Sequence, residues 1–322
     1  TNRYELADFS EYNDIFLLLN SSGKLNGVKE SIFMENIKDY SGRWRWNMVN
    51  DFRPQSIEYS GIKCYPTANY VNYYGMQNGY PINDMTKADA ESGYDPTHPW
   101  KNRDPRFYKT IMFDGVKWKS TGGAGGTAEL FTGGRESEEA NEKKGCFTAY
   151  MNSKLCPQLM NTVDGYKENN IMILSLMRLA DVYLMYAEAT AVGYNGPKGK
   201  AATYSLTAEE ALNKIRERAG VAPVLDKFLG STADFLSELR RERAVELSFE
   251  GFRFIDLRRW MLLTQYPYTL KTKIEFDRAD PSDYNYDEPE ENAIKNLREV
   301  VLLERKYTDR HYWYPVSYTH LT

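Results

Sequence analysis

Apolar residues recur at helical spacing along the second half of the chain. Between residues 170 and 263 this pattern predicts three helices with short connections. The first lies in the apolar run Ile171–Ala191. The second runs from a capping box, in which Thr207 is followed by Glu210, to Gly220. The third begins near Ser231 and ends at Gly251. Helices that follow one another in this way predict a scaffold of the tetratricopeptide type.

The first half of the chain has a different composition. Residues 1–169 are rich in Gly, Asn, Tyr and Pro, with turn pairs at Asn78-Gly79, Asp114-Gly115 and Asp164-Gly165. Such pairs are typical of loops and short strands. The sequence therefore predicts a mainly α fold with long irregular loops and a few short strands. Residues 1–169 form its loop-rich part, which faces ligand and partner, and residues 170–316 its helical part.

The apolar run at residues 171–191 is long enough to span a bilayer. Arg178, Asp181 and Glu188 interrupt it. Each charged residue near the centre of a membrane-spanning helix costs about 2.5–3.5 kcal/mol, which offsets most of the gain from the apolar side chains. We therefore interpret this run as a buried helix of a soluble domain.

Charge and composition exclude one class of partner. The chain has 322 residues and a formal net charge of −4, whereas nucleic-acid binding needs a basic field. Aromatic residues make up 14% of the chain, a supply that suits a surface for stacking on ligands or, alternatively, a well-filled core.

Cysteine, histidine and carboxylate spacing does not predict a metal site. Cys64, Cys146 and Cys156 contain no Cys-x-x-Cys pair, so at most one bridge is expected, for example between Cys146 and Cys156. The histidines, His98, His311 and His320, are scattered. Four aspartates of the acidic segment 277–291 have the right chemistry for Ca²⁺, but a solvated acidic loop is the favoured interpretation; they are Asp277, Asp280, Asp283 and Asp287.

The segment "RRERAVELSFEGFRFIDLRRW", residues 240–260, combines helical apolar spacing with many charges. Glu242, Glu246 and Glu250 share one stripe of the predicted helix, and apolar residues lie on both sides of it. Buried carboxylates need partners, and the nearest cations in sequence are Arg240, Arg243, Arg253, Arg258 and Arg259. Two interpretations follow: a general acid and base, as in glycoside hydrolases, or a buried ion network that holds the helix and the Gly251 turn. The network is favoured because catalytic carboxylates usually come from different elements.

Five segments, in the same order along the chain, closely resemble the motifs of the SusD/RagB family. They are "PTANYVNYYGMQNGYPI" (66–82), "NRDPRFYKTIMFDG" (102–115), "LMRLADVYLMYAEA", "ALNKIRERAGV" and "LRRERAVELSFEGFRFIDLRRW". The resemblance covers residues 66–316. It includes "YWYPVS" (312–317), after which the chain departs from the family, so we expect residues 317–322 to be a tail of artificial origin or a misassigned end.

The resemblance implies a binding protein and not an enzyme. Family members are surface lipoproteins of the Bacteroidota outer membrane. They bind oligosaccharides, or peptides in some systems, and cover a SusC-like TonB-dependent transporter. Their N-terminal lipid anchor is absent from this chain, which resembles the C-terminal part of such a protein. No cofactor is expected for the protein. The resemblance also implies that the charged helix is structural; the residues concerned are Glu242, Arg243, Glu246, Glu250, Arg253 and Asp256.

Sugar rings present apolar faces and a rim of hydroxyl groups, so their sites combine aromatic platforms with polar side chains. The turn-rich segment 40–50 offers this mixture in Arg43, Trp44, Trp46 and Asn47. The two indoles alternate at strand spacing and would face the same side. The alternative, favoured about equally, is that both are buried in the core. Further candidates for ligand contact are Tyr73, Tyr80 and Trp100.

Overall fold

A computed structural model of the chain describes residues 3–19, 24–25, 28–34, 65–120, 123–137, 145–155, 164, 171–172 and 175–313. Its α-helices are α1 (Ala68–Val71), α2 (Pro105–Thr110), α3 (Leu179–Gly193), α4 (Ala208–Ala219), α5 (Thr232–Glu246) and α6 (Phe252–Arg259). Its strands are β1 (Leu17–Leu19), β2 (Lys24–Leu25), β3 (Ser31–Met34), β4 (Ile111–Met112), β5 (Met151–Asn152), β6 (Ile171–Met172), β7 (Ser175–Arg178), β8 (Leu270–Arg278) and β9 (Ile294–Glu304). Long irregular connections join these elements, as the sequence predicts.

Helices α3, α4 and α5 pack on one another around an apolar core. Leu184 of α3, Leu212 and Ile215 of α4, and Phe235 and Leu239 of α5 are buried in this core. The predicted second helix is confirmed at both ends. The Thr207 hydroxyl accepts from the Glu210 amide at 3.2 Å, and the Glu210 carboxylate accepts from the Thr207 amide at 2.7 Å. None of the helices in the described part of the chain is both long and apolar enough to cross a membrane.

Two predicted helices are shorter than their apolar patterns. The run at residues 171–191 begins as strand: β7 pairs antiparallel with β3, and the helix starts only at Leu179. The third helix ends at Glu246 and not at Gly251, because Phe249 and Gly251 take positive φ values of 62° and 88°. These left-handed residues end the helix and allow α6 to begin in a new direction.

A second, larger core lies beneath the β8–β9 hairpin. Its strands are antiparallel, and Ile274, Phe276 and Ile294 point inward against Trp100 and Phe113. The alternation of buried and half-buried residues along β8 fits a strand with one packed face. Part of the segment that we interpreted as an acidic loop therefore belongs to β8, and the rest connects the two strands.

Candidate functional site

Glu246 is the centre of a buried ion network. Its side chain has 0% exposure, and its carboxylate binds Arg178 at 2.7 Å, Arg106 at 3.0 Å and also Arg218. Burial raises the pKa of Glu246, but the guanidiniums of Arg218, Arg178 and Arg106 outweigh burial and hold it well below its ordinary range. The carboxylate is therefore ionised and saturated with partners.

The other two carboxylates of the stripe extend this network. Glu242 binds Arg106 and, at 3.0 Å, Arg216. Glu250 binds Arg178 at 2.8 Å and the Lys154 ammonium at 2.7 Å. The cations come from α2, from the end of β7, from α4 and from the segment that follows β5. The network therefore joins these separate segments to helix α5 and the turn after it.

A second cluster holds α6 against α3 and α5. Arg243 binds Asp181 at 2.8 Å and Asp256 at 2.9 Å, and Asp256 also binds Arg259 at 2.8 Å. Arg253 is the exception among the predicted network residues. Within the described residues it forms no ion pair, and its guanidinium instead lies over the Tyr73 ring, 4.7 Å from the centroid.

The partners predicted for Glu242, Glu246 and Glu250 from the neighbouring sequence were wrong. Within the described residues, Arg240, Arg253 and Arg259 form no ion pair with these carboxylates, Arg258 donates to the Tyr312 carbonyl oxygen, and Arg243 binds aspartates. The true partners include Arg106, in the segment "NRDPRF", and Arg178, which interrupts the apolar run at residues 171–191. A lone arginine within an apolar run is the signal that could have identified a buried counter-ion.

The geometry around Glu246 does not suit glycoside hydrolysis. A general acid in such an enzyme needs a raised pKa and contact with the glycosidic oxygen. Glu246 is fully buried, its pKa is lowered, and three guanidiniums surround its oxygens. The stripe is therefore a structural element of the fold.

Glu238, one turn before Glu242, gives the network a pH dependence. Burial raises the pKa of Glu238, but Arg241 and Arg216 outweigh burial and lower it from 4.5 to about 2. A lowered pKa contributes stability above the ordinary pKa, and this contribution disappears as the pH falls from 4.5 towards 2. We expect the free energy of unfolding to fall through this window, and to fall less steeply in Glu238→Gln.

Urea denaturation of both proteins at a series of pH values measures the two slopes. Glu217→Gln serves as the control, because the Glu217 side chain is 72% exposed. If the wild type and Glu238→Gln lost stability in parallel, the contribution of Glu238 to the acid slope would be disproved.

A cleft of about 680 Å³ opens beside the ion network. Helix α1, the segment 81–83, the turn at residues 227–228, helices α5 and α6, and the segment 266–268 form its walls. The lining combines aromatic rings with polar side chains, and its main members are Asn69, Asn72, Tyr73, Asn83, Lys227, Phe228, Arg240, Arg241, Arg253, Tyr266 and Tyr268. Such a mixture on a concave surface is typical of small-molecule sites.

Three buried polar atoms of this lining have no hydrogen-bond partner. They are the side-chain oxygen of Asn72, Nε of Arg240 and Nη1 of Arg253. Asn72 is only 5% exposed, so its oxygen is largely shielded from bulk water. Buried polar atoms are normally paired, and unpaired ones in a native structure require an explanation. All three atoms belong to residues that line this cleft.

The structure places two of the predicted ligand residues at or beside this cleft. Tyr73 lines it directly. Tyr80 lies next to it: the Lys227 ammonium is 4.4 Å from the centre of its ring, and its hydroxyl donates to Glu91 at 3.1 Å. Arg240, Arg253, Tyr266 and Tyr268 also line the cleft but were not predicted as ligand residues. The aromatic segment Tyr266-Pro267-Tyr268 is the sequence feature that could have indicated a ligand site here.

The other predicted ligand residues are not part of the cleft. Trp100 has 0% exposure and packs against Phe113 and Phe276, so it is a core residue and cannot serve as a surface platform. Residues 40–50, with Arg43, Trp44, Trp46 and Asn47, lie outside the described residues. Their role in ligand binding stays a prediction.

The remaining chemical hypotheses concern cysteine and calcium. Cys146 is buried and its thiol lies 3.1 Å from the Tyr150 carbonyl oxygen, whereas Cys156 lies outside the described residues, so the bridge stays a prediction. In the part of the chain that the structure describes, no three His, Cys, Asp or Glu side chains are grouped to hold a metal ion. This covers the four aspartates of residues 277–291, and the calcium hypothesis has no support from their geometry.

Comparison with known proteins identifies the fold. A solved SusD-like protein of Bacteroides fragilis is similar with a TM-score of 0.68 and 21% identity, over 99% of this chain and 56% of the other. A SusD-like carbohydrate binding protein of the same species gives a TM-score of 0.61 and 20% identity, over 97% of this chain and 56% of the other. No match was found among curated proteins.

These similarities confirm the predicted fold class, a helical scaffold of SusD type with long irregular loops. The chain spans little more than half the length of these two relatives. A sequence model of the SusD family matches residues 29–322, which is most of the chain. The chain therefore belongs to the SusD family.

Proposed function

We propose that the chain is a non-catalytic oligosaccharide-binding protein and that the cleft between α1, α5 and α6 is its binding site. One observation carries this proposal: the rings of Tyr73, Tyr266 and Tyr268 line the same concave surface as the unpartnered atoms of Asn72, Arg240 and Arg253. The rings suit the apolar faces of sugars, and the polar atoms suit their hydroxyl groups.

The exposed ring of Tyr266 is the best placed of these platforms. Tyr266 is 76% exposed, so a ligand that covers its ring would remove a large area from contact with water. In the same lining, the Asn72 side-chain oxygen is buried without a partner among the described residues, and its amide nitrogen lies 3.4 Å from Glu299.

The cellular context of the proposal comes from the family. We propose that the protein acts at the bacterial cell surface, attached to the outer membrane as a lipoprotein. It would deliver its ligand to a SusC-like TonB-dependent transporter. The similar B. fragilis structure described as a carbohydrate binding protein supports a saccharide as the ligand.

Tyr266→Ala should weaken oligosaccharide binding by about 1–3 kcal/mol, the order expected when an aromatic contact in a binding site is truncated. Because Tyr266 is mostly exposed, the melting temperature should hardly change. Isothermal titration against a panel of oligosaccharides measures the effect. Tyr194→Ala is the matched control, since Tyr194 is 55% exposed and does not line the cleft.

Three results would contradict the proposal. Binding of short peptides, with no affinity for any saccharide of the panel, would assign the cleft to peptide capture. Release of reducing sugar from a bound oligosaccharide would show that the protein is an enzyme. Equal affinities of the wild type and Tyr266→Ala would place the binding site elsewhere in the chain.

A further inference from the structure

The lining of the cleft carries a surplus of positive charge. Lys227, Arg240, Arg241 and Arg253 face it. Within the described residues one carboxylate, Glu238, also lines it, and Arg216 and Arg241 already bind both of its oxygens. The carboxylates of the protein therefore do not balance the positive charges on this surface.

The guanidiniums of Arg240 and Arg253 are not neutralised by any described carboxylate. Arg253 lies between the rings of Tyr73 and Tyr268, 4.7 Å and 5.5 Å from their centres, and its buried Nη1 has no hydrogen-bond acceptor. Arg240 lies over Trp260, 5.4 Å from the ring, and its buried Nε also has no acceptor. A guanidinium stays charged at any physiological pH, and both side chains are half-buried, so an anion beside them would be stabilised.

Buried arginines elsewhere in the same molecule are treated differently. Arg106 binds Asp104, Glu242 and Glu246, and Arg243 binds Asp181 and Asp256. The fold therefore supplies carboxylates to these two arginines, and it supplies the carbonyl oxygens of Val71, Tyr74 and Pro99 to the buried Arg103. In the described part of the chain it supplies neither a carboxylate nor a carbonyl oxygen to Arg240 and Arg253.

Lys271, on strand β8, is also affected by the positive charge of Arg253. Burial lowers the pKa of Lys271, and the positive charges of Arg305 and Arg253 lower it further, to about 8. The contribution of Arg253 is a repulsion between two positive charges, and an anion beside Arg253 would oppose it.

We propose that the cleft selects acidic oligosaccharides, with Arg240 and Arg253 binding a carboxylate or sulfate group of the sugar while the tyrosines contact its rings. This inference rests on the proposed function and names its ligand class. The planar guanidinium matches an oxyanion with two parallel hydrogen bonds, and such charge-assisted bonds are about twice as strong as neutral ones. The aromatic rings around Arg253 hold it in place for this contact.

Titration of the wild-type chain with matched pairs of saccharides tests the inference without any mutation. Oligogalacturonides are compared with their methyl esters, and chondroitin sulfate oligosaccharides with their desulfated forms, beside neutral starch, xylan and mannan oligosaccharides. We expect one acidic series to bind about tenfold more tightly than its neutralised form, the effect of one charge-assisted hydrogen bond. The series that binds distinguishes a carboxylate from a sulfate ligand.

Arg253→Met and Arg240→Met then locate the contact. Each keeps much of the apolar stem, and each should reduce the preference for the acidic form about tenfold. Arg298→Met is the control, because the Arg298 side chain is 70% exposed and lies on β9 outside the cleft. Since the two arginines lie on different helices, failure of one variant to fold leaves the other to decide.

The outcomes separate this inference from the proposed function. Neutral oligosaccharides that bind as tightly as the acidic ones, or an acid preference that survives both methionine variants, would overturn the ionic selection and leave the binding function intact. Binding of a glutamate peptide in place of every saccharide would overturn both. The absence of binding to any member of the panel would also overturn both.

Discussion

Glu246→Ala is expected to lower the free energy of unfolding by about 3–5 kcal/mol, the range for removing one partner of a buried charge pair. Glu246 has 0% exposure and binds the guanidiniums of Arg106, Arg178 and Arg218. Its removal leaves these cations facing one another without the carboxylate between them. Because they come from different segments, their repulsion opposes the packing of α2 and α4 on α5.

Chemical denaturation of the wild type and the variant measures this difference. Glu217→Ala is the matched control: Glu217 pairs with Lys214 at 3.0 Å on the surface, and an exposed pair contributes under about 1 kcal/mol. Glu246→Gln tests the charge separately from the volume, and it should destabilise nearly as much. A loss of less than about 1 kcal/mol in Glu246→Ala would mean that the stripe is solvated and the network is not maintained in solution.

The sequence was sufficient to predict that this stripe lies among apolar residues, but not which residues bind it. Helical spacing places Glu242, Glu246 and Glu250 among apolar neighbours, and this depends only on the local period. The partner choice depends on tertiary packing. Arg178 meets Glu246 only because β7 pairs with β3 and thereby places the end of the strand beside α5.

The boundaries of helices and strands also depend partly on local sequence and partly on distant contacts. The start of α4 was predictable because Thr207 and Glu210 form a capping box within one turn. The strand before α3 was not, because an apolar run of that length fits a helix or a strand until a partner strand is known. The end of α5 depends on left-handed Phe249, a conformation that a bulky aromatic residue rarely adopts and that no sequence pattern indicates.

Prediction of the cleft had the same limit. Composition indicated aromatic contacts, and Tyr73 lies where such a contact is expected, but the cleft forms only when α1, α5 and α6 come together. Whether an arginine lacks a counter-ion is also a property of the folded chain. Arg243 and Arg253 look alike in the sequence, yet one binds two aspartates and the other faces the cleft.

Trp100→Ala is expected to destabilise the protein by about 3–5 kcal/mol, the range for truncating a fully buried aromatic residue. The indole stacks on Phe113 with 5.0 Å between ring centres and meets the edge of Phe276 at 5.2 Å. Its Nε1 also donates to the Tyr150 hydroxyl at 3.3 Å. The substitution therefore opens a cavity beneath the β8–β9 hairpin and removes a buried hydrogen bond.

Chemical denaturation, combined with oligosaccharide titration of the folded variant, distinguishes this core role from the ligand contact that the sequence suggested. Trp313→Ala is the matched control, because Trp313 is 78% exposed and its loss should change stability by less than about 0.5 kcal/mol. Since Trp100 does not line the cleft, the folded Trp100→Ala protein should keep its affinity for the saccharide. Unchanged stability with lost affinity would instead show that the indole contacts the ligand, which would require the loop around Trp100 to open in solution.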